Sequence, residues 1–324
     1  MLEKRYALNP YIKQKQRYNS YYSFKWHNQE SAMSLYRELE NIYKAGPTHM
    51  VGDGFRVINF IPGDSDLAKR LNPFVLLDYN PSFYFPPTDS PLGVGPHPHR
   101  GFETVTIAYK GAVAHHDSDG NHGIIEAGDV QWMTAGAGIL HKEYHATHFA
   151  KQGGLLQMVQ LWVNLPALYK NTPPAYQALT KQQMGLYHFS NQQGLLNIIA
   201  GNYDGVHGPA KTFTPINLFD IRLLAQSEAI LELPSDHNVA ILVLEGEITI
   251  NQNQSAHENQ LLVFSLSAGK IKINSEGKNA ILLVLSAEPL LEPIAHHGPF
   301  VMNTREELQQ AFIDFYEGKF GNLE

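Results

Sequence analysis

The stretch Pro96-His97-Pro98-His99-Arg100-Gly101-Phe102-Glu103-Thr104-Val105 decides how this chain is read. Extended backbone alternates its side chains, so His97 and His99 share one face of a strand, and Glu103, Val105, Ile107 and Tyr109 fall on the same parity. One face then reads as metal ligands at one end and as core at the other. Pro98 has no N–H to donate, which suits a strand start or an edge.

A second stretch, Gly128-Asp129-Val130-Gln131-Trp132-Met133-Thr134-Ala135-Gly136-Ala137-Gly138-Ile139-Leu140-His141-Lys142-Glu143, ends in His-x-Glu and repeats the pairing. Eight of the 16 histidines lie between His97 and His148, and metal binding is the leading cause of such clustering. Two pairs on neighbouring strands, His97 with His99 and His141 with Glu143, can converge on one ion. Three neutral imidazoles and one carboxylate suit iron(II), manganese, nickel, copper or zinc and leave up to two octahedral positions for exogenous ligands. Open positions indicate catalysis or sensing. The chain has no cysteine, which excludes disulfides, thiolate nucleophiles, iron-sulfur clusters and Cys-based zinc sites. A net charge of -7 argues against a chain that grips phosphate backbones, so no direct nucleic-acid binding is expected.

Working outward, residues 51–287 show short β-branched runs broken by Gly, Pro, Asn and Asp, the texture of an all-β sandwich or barrel. The 324 residues suffice for two domains, and the Pro-bearing stretch from Leu165-Pro166 to Thr172-Pro173-Pro174 is the expected linker. The expected division is an extension at 1–50, a metal-binding β domain at 51–168 and a second β domain at 169–324. Residues 1–50 hold eight Lys/Arg against four Asp/Glu, while the remainder holds 16 against 27. Within this extension Ala32, Leu35, Tyr36, Leu39, Ile42 and Tyr43 recur at helical spacing, with Ser31 as N-cap and Gly46-Pro47 as stop, which predicts one amphipathic helix packed on a barrel or at a subunit contact. Thr304-x-x-Glu307 is a capping box, and Leu308, Ala311, Phe312 and Phe315 share the face of a C-terminal helix. No window is apolar enough to span a membrane, so a soluble, unexported, cytoplasmic protein is expected.

These motifs, with Leu161-Trp162-Val163-Asn164-Leu165-Pro166, resemble the pirin family of the cupin superfamily. Ile199-Ala200-Gly201, Gly205-Val206-x-Gly208-Pro209, Glu292-Pro293-Ile294 and Gly298-Pro299-Phe300-Val301-Met302-Asn303-Thr304 extend the resemblance over residues 51–321. It implies a bicupin: two β-barrels or jelly rolls, the first holding a non-haem iron, Fe(II), on His97, His99, His141 and Glu143, the second without ligands. Consistent with that loss, Glu245-Gly246-Glu247 in the second half has no His-x-His beside it. Glu103 matches a cupin glutamate that pirins keep without using it as a ligand, and it is expected to orient an imidazole N–H.

Other histidines receive plainer readings. His115, His116 and His122 sit among turn formers and are expected in a hairpin loop or at a pocket rim. His145 has inward parity and so a candidate role behind the ligands; His148 follows it; His296-His297 is expected to pack or cap. Gly136-Ala137-Gly138 lacks the helix N-terminus of a phosphate loop, and no nucleophile elbow supports Ser-His-Asp hydrolysis. Trp132, Met133 and the aromatic residues at 82–85 are expected as core or pocket wall.

Two functions follow from the resemblance. The first is an iron-dependent dioxygenase of the quercetinase type, which takes O2 and a small phenolic or enolic substrate such as a flavonol, with Glu143 as proton acceptor. The second is a binding module whose iron oxidation state switches contact with a protein partner. A zinc- or manganese-dependent isomerase is a weaker third.

Overall fold

The computed structural model describes residues 35–63, 65–251 and 253–323. The first half runs β1 (Leu39–Lys44), β2 (His49–Val51), β3 (Phe55–Ile61), α1 (Asp66–Leu71), β4 (Phe74–Phe85), β5 (Gly93–His99), β6 (Phe102–Lys110), β7 (Ala112–Asp117), β8 (His122–Glu126), β9 (Val130–Thr134), β10 (Ile139–His145), α2 (Thr147–Gln152), β11 (Gly154–Asn164) and β12 (Ala175–Leu179). The second runs β13 (Gly185–His188), β14 (Gly194–Ala200), β15 (Asn202–Tyr203), β16 (Val206–His207), β17 (Ile216–Leu223), β18 (Glu228–Leu231), β19 (Asn238–Glu245), β20 (Glu247–Ile250), β21 (Gln254–His257), β22 (Gln260–Phe264), β23 (Ile271–Ser275), β24 (Ala280–Ala287), β25 (Ala295–His297), β26 (Phe300–Met302) and α3 (Arg305–Tyr316).

Two barrels result, each closing a seven-stranded sheet against a four-stranded one, and β1 crosses over to join the second. The first pair has the orders β12-β9-β6-β11-β4-β3-β2 and β5-β10-β7-β8; the second has β1-β22-β19-β24-β17-β14-β13 and β18-β23-β20-β21. The fold is therefore the expected all-β bicupin, ended by the expected helix. Thr304 and Glu307 form the reciprocal capping box at its start.

The two large sheets pack face to face. Leu77, Tyr79, Val105, Ile107, Val159 and Leu161 from the first meet Leu218, Ala240, Leu242, Val263, Leu283 and Leu285 from the second in one core. Strands buried on both faces need near-continuous apolar sequence, which is why β19 and β24 read as unbroken runs. Their alternate residues fill the second barrel: Val239, Ile241, Val243, Leu282 and Val284 pack with Phe219, Ile248, Ile250 and Ile273. That interior is apolar, and among the described residues no metal-ligating cluster occurs there.

Three expectations are corrected here. Residues 39–44 form strand β1, not a helix, and pair antiparallel with β22 of the second barrel. The helical spacing is real, but an open sheet edge offers this segment a row of unpaired backbone groups, and Leu39 and Ile42 still reach the second core. Arg37 anchors the strand: it is buried, and its Nη2 donates to the carbonyls of Pro234, Ser235 and His237. Ser31 and Ala32 lie outside the described residues. The chain also crosses the expected boundary at 168/169, because β12 pairs with β9 in the first barrel's sheet.

The third correction concerns parity. Gly101 has φ of 87°, in the left-handed region, and breaks the alternation between β5 and β6. Val105, Ile107 and Tyr109 consequently face the core between the sheets, while Thr106 faces the interior of the first barrel.

Candidate metal centre

Strand β10 alternates strictly, with Ile139, His141, Glu143 and His145 buried and the residues between them half-buried. On one side it pairs with β5, placing His141 opposite His97 and Ile139 opposite His99. On the other it pairs with β7, placing His141 opposite Asp117 and Glu143 opposite His115. Directly paired residues share a face, so three adjacent strands present these side chains to one interior.

His97, His99 and His141 form one group whose candidate ligand atoms lie within 4.8 Å of one another. Their ring centroids are 4.3 Å apart for His97 and His141 and 4.8 Å apart for each of the other two pairs. A carbonyl can only accept, so His97 Nδ1 donates to Gly95 O at 2.9 Å and His99 Nδ1 donates to Pro299 O at 3.4 Å. Both rings are left with the Nε2 lone pair. Nε2 of His141 is buried and has no hydrogen-bond partner. Burial, then the neighbouring imidazoles, holds His99 and His141 well below the ordinary histidine pKa, in the neutral form that a metal requires. The donor set fits a divalent cation.

Glu143 does not join all three histidines in this group. It gathers instead with His141 and His115. The reason is its hydrogen bonding: Oε1 accepts from Gln131 Nε2 at 2.9 Å and Thr106 Oγ1 at 3.1 Å, and Oε2 accepts from Gln160 Nε2 at 2.7 Å. These donors belong to a polar row, Asn59, Asp78, Gln160, Thr106 and Gln131, in which each residue is the register partner of the next across five strands. No periodicity within a single segment identifies that row, because it exists only once the strands are in register.

His115 was expected in a loop and is instead fully buried on β7, beside His141 and Glu143. His116 is half-buried on the same strand and takes a 3.0 Å hydrogen bond with Tyr144, and His122 is exposed at the start of β8. Asp117, opposite His141, lies below the usual carboxylate range: burial pushes it up, but hydrogen bonds from His115 and Asn121 outweigh it. Glu103 does not orient an imidazole. Its Oε1 accepts from Thr134 Oγ1 at 2.8 Å, and burial pushes its carboxyl up to about 7. His145 also stands apart from the cluster, bonded through Nε2 to Gly54 O at 2.8 Å and edged by Phe55, Phe85 and Phe149. His148 pairs with Glu126 at the surface, and His296 packs its ring on Trp162, as expected of a packing residue.

Phe102 and Trp162 stack at 4.3 Å, and both rings contact His99. Behind His99, buried Lys170 donates to Gly101 O, Asn164 Oδ1 and Val301 O, fastening the turn between β5 and β6 to β11 and β26.

Two fused β-barrels, one with an apolar filling and one with a polar His/Glu interior, define a bicupin with a single metal-binding barrel. The pirin family model matches residues 54–163, and the pirin C-terminal cupin domain model matches residues 218–321. A Pseudomonas aeruginosa protein provisionally named quercetin 2,3-dioxygenase is 45% identical, over 88% of this chain and 98% of its own length. A pirin-like protein of Solanum lycopersicum is 36% identical, over 83% of this chain and 88% of its own. The crystal structure of quercetin 2,3-dioxygenase from Acinetobacter baumannii matches with a TM-score of 0.86 at 44% identity, covering 89% of this chain and 100% of that one. The chain belongs to the pirin family.

Proposed function

We propose that this protein is a metal-dependent dioxygenase that opens a flavonol such as quercetin with O2, with His97, His99, His141 and Glu143 as the ligands of an Fe(II) ion. The observation that carries the reading is the buried, unpartnered Nε2 of His141 beside His97 and His99. The names of the relatives supply the substrate class. Manganese, nickel, copper or zinc would suit the same donors.

When bound, the metal would hold substrate and O2 in reach and lower the pKa of the substrate hydroxyl. The chain's own groups do the rest. Glu143 takes the proton of the flavonol 3-hydroxyl, with the carboxylate held in place by Gln131, Thr106 and Gln160. Trp162, which edges His99 and is backed by the buried Phe102 ring, gives the flat substrate an aromatic wall. Both oxygen atoms of O2 stay in the ring-opened product, and carbon monoxide leaves. We place the enzyme in the cytoplasm. Among the described residues, no helix is long and apolar enough to cross a membrane.

The test is carbon monoxide release from anaerobically iron-loaded protein mixed with quercetin and then O2, compared with His99→Ala. Release that disappears in the variant supports ring cleavage at this site. Absence of release from protein carrying one iron per chain overturns it and directs attention to a protein partner that distinguishes ferrous from ferric protein.

A further inference from the structure

The dioxygenase reading leaves His115 and Asp117 without a task, yet both are buried inside the metal-binding barrel. Nε2 of His115 lies 3.2 Å from Asp117 Oδ2. An ionised carboxylate only accepts, so Nε2 carries the proton and Nδ1 presents a lone pair. Two groups face that lone pair: Gln131 Nε2 at 3.2 Å and His141 Nδ1 at 3.4 Å.

The consequences run through both neighbours. Since His115 Nδ1 accepts, His141 Nδ1 must donate, which leaves the orphaned Nε2 of His141 as its lone-pair atom. Gln131 must turn its NH2 toward His115, and the same nitrogen donates to Glu143 Oε1 at 2.9 Å. The amide's other end agrees, because Gln131 Oε1 accepts from Tyr176 OH at 3.3 Å. Reversing any one tautomer or amide would set donor against donor or acceptor against acceptor elsewhere in the network. Asp117 is itself fixed by the backbone N–H groups of Asp119 and Asn121 and by the Asn121 side chain.

We propose that the His115–Asp117 pair is the positioning device of this centre: one imidazole lone pair sets the tautomer of His141 and, through Gln131, the placement of Glu143. His115 stands behind the ligands and is not one of them. This rests on the proposed roles of His141 and Glu143 as ligands, but its test does not depend on which substrate is turned over.

The test is metal affinity, read by calorimetry with Ni(II) and by the visible spectrum of the Co(II)-substituted full chain, alongside melting of the metal-free protein. His115→Leu removes the acceptor and should weaken Ni(II) binding about 10- to 100-fold. His115→Asn keeps an acceptor near the Nδ1 position and should recover most of that loss. Asp117→Asn preserves shape but releases the tautomer, and it should lower affinity as His115→Leu does while the metal-free melt changes little. Unchanged affinity and Co(II) spectrum in His115→Leu overturns the proposal, as does a metal-free melt that falls while the folded protein binds Ni(II) normally. Failure of His115→Asn to rescue, with a Co(II) spectrum showing one nitrogen ligand fewer, makes His115 a ligand and also overturns it. If the affinity pattern holds and the natural sequence releases no carbon monoxide from quercetin, the dioxygenase reading alone falls.

Discussion

Nη1 of Arg100 donates to Oδ2 of Asp314 at 2.6 Å, joining the residue next to His99 to the C-terminal helix. The ion pair is largely withdrawn from water, with both side chains 12% exposed. Asp314 also accepts from Lys319 and Gln310, and Arg100 lies over the Phe320 ring. Lys319, then Arg100 and Gln310, hold its carboxyl well below the usual range.

Asp314→Asn should therefore destabilise the protein by about 1–3 kcal/mol at neutral pH. A carboxyl with a depressed folded-state pKa contributes stability above its unfolded pKa and loses it as pH falls through the folded one. The gap between the two proteins in urea denaturation should be full at pH 7 and shrink below about pH 4. A gap that stays constant down to pH 2 would contradict the assignment.

Gly101→Ala should harm both fold and site. The residue has φ of 87°, and a Cβ there would meet the carbonyl oxygen of Val301. The strain should cost about 1–3 kcal/mol, and because Gly101 sets the turn after His99, Ni(II) affinity in equilibrium dialysis should fall as well.

Glu103→Gln gives a prediction of the opposite sign. Burial raises the folded-state pKa of Glu103 to about 7, so the folded protein holds a proton that the unfolded chain releases. Stability then declines as pH rises from about 4.5 to 7, by an amount on the order of 3 kcal/mol. The variant keeps a partner for Thr134 and removes the titration. Its stability relative to the natural sequence should increase across that window, and parallel pH profiles would refute the idea.

Chelation should lower the melting temperature. An ion present at about 100 times its Kd adds about 2.7 kcal/mol, which raises Tm by roughly 4 °C in a chain of this size. His141→Ala should melt at one temperature with or without Ni(II). A shift that survives in this variant would place the ion elsewhere.

Arg37→Ala should release β1 from β22, at a cost of about 2–4 kcal/mol for three lost carbonyl contacts and a cavity. Hydrogen exchange at Tyr43 and Ala45, whose amides point toward β22, should accelerate while Ni(II) affinity stays unchanged, since the strand borders the second, apolar barrel.

Much of the architecture is legible along the chain. Short β-branched runs report strands, Thr304 and Glu307 report the last helix, and the His-x-His and His-x-Glu pairs point to where His97, His99 and His141 gather. His115 reads as a loop residue because Ser118, Asp119 and Gly120 follow it closely, although β7 ends only at Asp117. Leu39 and Ile42 read as helical because regular strand alternation would put an i, i+3 pair on opposite faces; the β-bulge between Leu39 and Asn41 is what lets both reach one core.

What the sequence determined by itself was local: alternation along β10 follows from the geometry of extended backbone and puts His141 and Glu143 on one face whatever surrounds them. What only the tertiary structure decided was non-local. The left-handed turn at Gly101 sent Glu103 away from the imidazoles, register across five strands brought Thr106, Gln131 and Gln160 into one polar row, and the unpaired edge of β22 made a strand of residues 39–44. Those outcomes depend on which backbone groups find partners, and for residues 39–44 the partners lie more than two hundred residues away.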